Sequence, residues 1–177
     1  MSAKTAETHL SRLYLIEGLP EPLTTASSHL QLFDGYIPNT RIRIRSVRDP
    51  YSKAWTRTLQ QVFLSEEAGH PAVKSSEFHL NEAEYEAFTG LEGLEIRKNR
   101  YFQEFDRSKI LFDIYLGKLQ GLSTASFEFA SMEDFDAFAP PPFAKIEVTG
   151  NAFFLGTNLV EKTFADVQDE IRELIDG

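Results

Sequence analysis

The 177-residue sequence contains no cysteine, which excludes a disulfide framework, a thiolate metal site and a cysteine nucleophile. No apolar run approaches the roughly 20 residues that a membrane-spanning helix needs. The N-terminal MSAKTAETHL lacks the apolar centre of a secretory leader, so a cytoplasmic protein without membrane attachment is the expectation. Positive charge is also short. Eighteen Lys and Arg against 27 Asp and Glu give a formal net charge of -9, which argues against a general nucleic-acid binder. The four histidines, His9, His29, His70 and His79, are neither clustered nor spaced along one helix face as transition-metal sites require. His9 alone, without a second clear ligand, makes a weak case for such a metal.

What is present is material for a core: 42% hydrophobic residues, including 15 Phe, suffice for one domain. Most of the chain reads as strands. The segments His9 to Ile16, KAWTRTLQQVFL, LEIRKNRYFQEF, KILFDIYLG and GLSTASFEFA have β-branched and aromatic content, and KIEVTG and AFFLG read as closing strands. Asp34-Gly35 reads as a hairpin turn, EEAGHPAVKSS as an exposed loop, and Asp106-Arg107-Ser108 as a break between strands. Asn81 with Glu84 opens a short helix, and Ser131 with Asp134 opens another that Pro140-Pro141-Pro142 terminates. From Thr163 the period becomes helical, with Phe164, Val167, Ile171, Leu174 and Ile175 on one face expected to pack outside the sheet. Residues 1–8 are expected as a flexible N-terminus and 9–177 as one domain including a helix over 163–176. The class is α+β, mainly antiparallel, and closure into a barrel would remove exposed sheet edges.

The most informative stretch is TRIRIRS, in which Arg41, Arg43 and Arg45 alternate with Ile42 and Ile44. In a strand the arginines share one face and the isoleucines the other. Lys98 and Arg100 share a face of IRKNRY, Asp113 lies between Phe112 and Ile114, and Glu128 lies between Phe127 and Phe129. Two readings follow. The charged faces are simply solvated, as half-buried antiparallel sheets often are, or they line a wet barrel interior where forked guanidinium donors meet phosphate oxygens.

The segments DGYIP with TRIRI, then IRKNRY, LFDIYLGKLQGLSTASFEF and KIEVTG resemble, in order and spacing, the CYTH or triphosphate tunnel metalloenzyme family over about His9 to Val160. That resemblance implies a closed eight-stranded antiparallel barrel with a few external helices. Its tunnel would hold triphosphate compounds through basic residues and one or two divalent ions through carboxylates. Carried over by position, Arg41, Arg43, Lys98 and Arg100 are the phosphate-binding candidates, although RIRIR also permits the register Arg43 and Arg45. Arg57 is a further basic candidate, since the family's lysine falls on Arg57, Thr58 or Gln60. Asp113 and Glu128 are the metal candidates, Glu77 a weaker one, and Glu147 has either a structural or a lumenal role.

The departure from the family lies at its N-terminal Glu-x-Glu-x-Lys, where His9, Ser11 and Leu13 stand instead. Two carboxylates against four basic residues predict a more cationic lumen, with Mg or Mn binding weak or absent. The expected function is therefore binding of tripolyphosphate, pyrophosphate or a nucleotide with metal-dependent catalysis weakened or lost. The alternatives are an active Mg- or Mn-dependent triphosphate hydrolase, a class IV type adenylyl cyclase, and a scaffold that binds a protein partner.

Overall fold

A computed structural model describes residues 6–105 and 108–177. The expected break at Asp106-Arg107 lies outside these residues, as do positions 1–5 of the expected flexible N-terminus. Among the described residues nine strands form: β1 (Glu7–Leu15), β2 (His29–Tyr36), β3 (Ile42–Arg48), β4 (Trp55–Glu67), β5 (His70–His79), β6 (Glu95–Phe105), β7 (Ser108–Tyr115), β8 (Ser123–Phe129) and the two-residue β9 (Ile146–Glu147). Four helices accompany them: α1 (Glu82–Thr89), α2 (Met132–Ala137), α3 (Gly156–Leu159) and α4 (Phe164–Asp176).

Strands β5-β4-β3-β2-β6-β7-β8-β1 neighbour one another in that order, and β1 closes onto β5 with Glu7 opposite Ser75 and His9 opposite Val73. The result is the expected closed eight-stranded antiparallel barrel, with β9 added beside the far end of β1, where Leu15 faces Ile146. Strand β1 begins at Glu7, so positions 7 and 8 belong to the barrel. No helix among the described residues is long and apolar enough to cross a membrane.

Three local expectations are corrected. Asp34 and Gly35 lie inside β2, which pairs with β3 on one side and β6 on the other, so ladder hydrogen bonding on both edges overrides the turn preference of the dipeptide. The supposed loop EEAGHPAVKSS is the end of β4, a tight turn at Ala68 and Gly69 with φ of 49° and 81°, and the start of β5. Positive φ at two successive residues is what a two-residue hairpin turn needs. AFFLG is not a strand: Ala152–Phe154 form a 3-10 turn, in which the Phe153 N–H donates to Asn151 Oδ1, and α3 follows.

Two apolar clusters hold the barrel. Tyr14, Tyr101, Ile110, Phe112, Ala125 and Phe127 cover the outside of β1, β6, β7 and β8, against Leu19, Leu23, Phe138 and Phe143. The second cluster joins Leu15, Tyr36, Ile96 and Tyr115 to Phe154, Leu159 and Val167, and Phe164 and Ile171 pack against it. Only part of the expected α4 face is used, since Leu174 and Ile175 are 40% and 66% exposed. Gly121, at φ +111°, lies where a Cβ would stand 2.7 Å from the Phe164 ring, so the absence of a side chain there lets α4 dock. Capping boxes at Asn81 with Glu84 and Thr163 with Asp166 fix the starts of α1 and α4.

Candidate functional site

Alternation along the barrel strands sends every second side chain inward. A cavity of about 310 Å3 fills the lumen, and its wall includes Arg43, Arg45, Lys98, Arg100, Asp113 and Glu128. The structure therefore brings together two arginines of β3, the basic pair of β6 and the acids of β7 and β8. Arg41 is not among them: it precedes β3, is exposed, and stacks 4.4 Å from the Phe63 ring. The register is thus Arg43 and Arg45. Arg57 also lies elsewhere, on the outer face opposite Ser46, with its guanidinium 4.1 Å from Tyr85 and 5.3 Å from Trp55. Gln60, from the same strand, is the one that lines the cavity.

The lumenal charges are already partnered. Arg45 gives Nε and Nη2 to the two oxygens of Asp34 at 2.6 and 2.7 Å, and Arg43 Nη1 stands 3.5 Å from Asp34 Oδ2. Arg100 repeats the forked geometry on Asp113 at 2.7 and 2.8 Å, and Lys98 Nζ lies 2.7 Å from Asp113 Oδ2. Arg43 donates to Gln60 Oε1 and to the Tyr36 hydroxyl, and Gln60 passes its own N–H to Glu77. A Cβ at Gly156 would stand 1.8 Å from the Tyr36 oxygen, so glycine there makes room for the hydroxyl that holds Arg43. The exception is Glu128, whose backbone is paired on both sides by β1 and β7 but whose carboxylate has no hydrogen-bond or ion-pair partner among the described residues.

Asp34 and Tyr36 were not foreseen as site residues. The signal was available: Leu32, Asp34 and Tyr36 alternate with Phe33 and Gly35, and Asp34 falls directly opposite Arg45 in the register. Glu147 points outward instead, accepting from Thr149 and lying 3.6 Å from Arg12. His9 and Ser11 line the cavity, and His9 Nε2 is 2.8 Å from Ser75 Oγ.

Burial shapes the acid–base properties of this network. It would raise the carboxyls of Asp34 and Asp113, but Arg45 and Arg43 on the first, and Arg100 and Lys98 on the second, outweigh it and hold both well below the usual range. Burial pushes Lys98 down to about 8, against the pull of Asp113 and with further repulsion from Arg100 and Arg45. Tyr36 and Tyr115 are raised by burial and stay neutral phenols. One consequence concerns acid. Because both carboxyls ionise far more readily folded than unfolded, their contribution is fully present above the ordinary carboxyl range near pH 4 and is lost as pH falls below it. Urea titrations between pH 7 and pH 2 should show stability falling steeply below about pH 4, and a flat profile there would remove the network from the stability of the barrel.

A hard divalent ion takes about six oxygen ligands. Both oxygens of Asp34 and of Asp113 are occupied by cations. Among the described residues no three histidines or carboxylates converge as a metal group. The lumen also holds more acid than the sequence count predicted, because Asp34 joins Asp113 and Glu128 against the four cations, with Glu77 reached through Gln60.

A closed antiparallel barrel around a charged lumen is the fold that the sequence resemblance implied. No family profile matches the chain, and no curated protein matches it. Two solved structures of a protein designated NE1496 are similar. One is described as an inorganic triphosphatase and is 22% identical, covering 87% of this chain and 95% of that one with a TM-score of 0.59. The other is described as a hypothetical protein and is 21% identical, covering 88% and 99% with the same TM-score. At that identity the likeness establishes the fold, a closed antiparallel barrel of the same kind.

Proposed function

We propose that the lumen binds a small polyanion of the pyrophosphate, tripolyphosphate or nucleotide class, with metal-dependent hydrolysis weakened or lost. The observation that carries this reading is the convergence of Arg43, Arg45, Lys98 and Arg100 on one cavity. A guanidinium has five N–H donors. Arg45 and Arg100 each spend Nε and Nη2 on a carboxylate, and their Nη1 edges keep no partner among the described residues. Those edges, the Lys98 ammonium and the Tyr36 hydroxyl are the groups that would meet phosphate oxygens. The inorganic triphosphatase described for the similar barrel supports the anion class. The occupied carboxylates support the loss of metal chemistry.

Lys98 provides the test. With its folded value near 8, a substantial fraction of this amine is neutral at pH 8. A bound polyanion restores the charged form, so binding draws a proton from solution. Isothermal titration with pyrophosphate at low salt, in EDTA and in two buffers of different ionisation enthalpy, should show uptake of up to about half a proton at pH 8 and almost none at pH 6. Affinity should weaken as pH rises through 8. Absence of binding by pyrophosphate, tripolyphosphate and ATP would end this reading, and metal-dependent phosphate release with magnesium or manganese would reinstate the hydrolase.

A further inference from the structure

The two halves of the barrel wall differ in chemistry. Strands β3, β2, β6 and β7 are contiguous, and they supply all four cavity-lining cations. Strands β8, β1, β5 and β4 complete the circle, and their cavity-lining residues include no lysine or arginine. Their lumen face mixes polar residues, among them His9, Ser11, Ser75 and Glu128, with the branched apolar residues Leu13, Val62, Leu64 and Val73. Leu64 and Val73 are directly opposite one another in the ladder and Val62 lies one inward position along β4, whereas on β1 the residue opposite Val73 is His9 and Leu13 stands four positions further on, opposite Ser126 of β8. All four are half-buried, so branched apolar surface is left in contact with lumen water. Covering such surface with an apolar group is favourable in proportion to the area removed from water.

The charge balance points the same way. Asp34 and Asp113 already pair with the four cations, and the Glu128 carboxylate adds a third acid to the lumen, which leaves little net positive charge for a triphosphate. The cavity volume of about 310 Å3 is at the small end of ligand-sized pockets, about 300–1,000 Å3.

We infer that the ligand of the lumen is a phosphate or diphosphate ester of a compact apolar alcohol, its headgroup on Arg43, Arg45, Lys98 and Arg100 and its apolar group on the strip Val62, Leu64 and Val73. The inference rests on the lumen being an anion site and adds what the anion is attached to. A bare inorganic polyphosphate satisfies one wall and leaves the other wet. An apolar alcohol without phosphate leaves the guanidinium edges unmatched.

The experiment compares pyrophosphate with n-pentyl diphosphate by isothermal titration in EDTA. The ester is expected to bind more than tenfold more tightly than pyrophosphate. In the double variant Val62→Thr with Val73→Thr, which keeps shape but adds hydroxyls to the strip, that ratio should fall to a few-fold while pyrophosphate affinity stays within about twofold. Should the variant fail to fold, the wild-type ratio decides alone. Equal or weaker binding of the ester beside measurable pyrophosphate binding overturns the inference and leaves the anion site standing. A ratio unchanged in the double variant removes the strip as the seat of the apolar group. Absence of binding by both compounds overturns the inference and the anion reading together.

Discussion

Replacing Asp113 by asparagine is expected to destabilise the barrel by about 3–5 kcal/mol while tightening its hold on pyrophosphate. The two effects have one cause. Asp113 is buried and accepts from Arg100 twice and from Lys98 once. Removing its charge leaves two buried cations without a counterion, and breaking a buried ion pair from one side costs about that much. For a chain of this length the loss corresponds to roughly 6–20 °C in melting temperature. The same change frees Arg100 Nε and Nη2 and the Lys98 ammonium to meet an anion. One additional charged hydrogen bond is worth about 1.5–3 kcal/mol, so affinity should rise by about tenfold or more. If Asp113 were instead a metal ligand, the variant would bind phosphates more weakly in the presence of magnesium. The sign of the affinity change therefore separates a carboxylate that competes with the ligand from one that recruits it.

Arg43→Gln should do the reverse: a loss of about 10–150-fold in anion affinity with a stability change below about 1 kcal/mol. Arg43 is held by Gln60 and the Tyr36 hydroxyl, and its approach to Asp34 at 3.5 Å is the looser of that carboxylate's two arginine contacts. Asp34 keeps its forked pair with Arg45 in the variant, so no buried charge is stranded. Titration calorimetry reads the affinity and urea denaturation the stability. A large stability loss with unchanged affinity would make Arg43 a structural residue. Together the two substitutions move binding in opposite directions, which no purely structural network would do.

Much of the site was legible because a period of two is simple. The isolated charges in IRIRS, LFDIY and SFEF fall on one face and the isoleucines and phenylalanines on the other, and the barrel keeps that division: Ile44, Phe112 and Phe127 are buried outside while Arg45, Asp113 and Glu128 line the lumen; IRKNRY is mixed, with Ile96 on the lumen face beside Lys98 and Arg100 and Arg97 outside. Periodicity does not say how far along a strand the lumen reaches. Arg41, Arg43 and Arg45 have the same parity, and what excludes Arg41 is that β3 starts one residue later. Nor could local chemistry resolve Asp34-Gly35, a dipeptide that turns hairpins when nothing else competes. Here β2 is hydrogen-bonded on both edges, and the aspartate is needed as the counterion of an arginine eleven positions on. The long β4–β5 hairpin was obscured for a related reason. Its polar tip reads as a loop, and its strand character is fixed by closure onto β1, a pairing more than sixty residues away in sequence.

The central claim is that this lumen holds a phosphate anion without needing a metal. Thermal unfolding of the purified protein with pyrophosphate and with tripolyphosphate, each in EDTA and in magnesium or manganese, tests it most directly, since a ligand of the folded state raises its stability. A metal-independent anion site gives a rise in melting temperature in EDTA, saturating with anion concentration and little changed by either metal. A rise that requires metal, or none under any of these conditions, would contradict it.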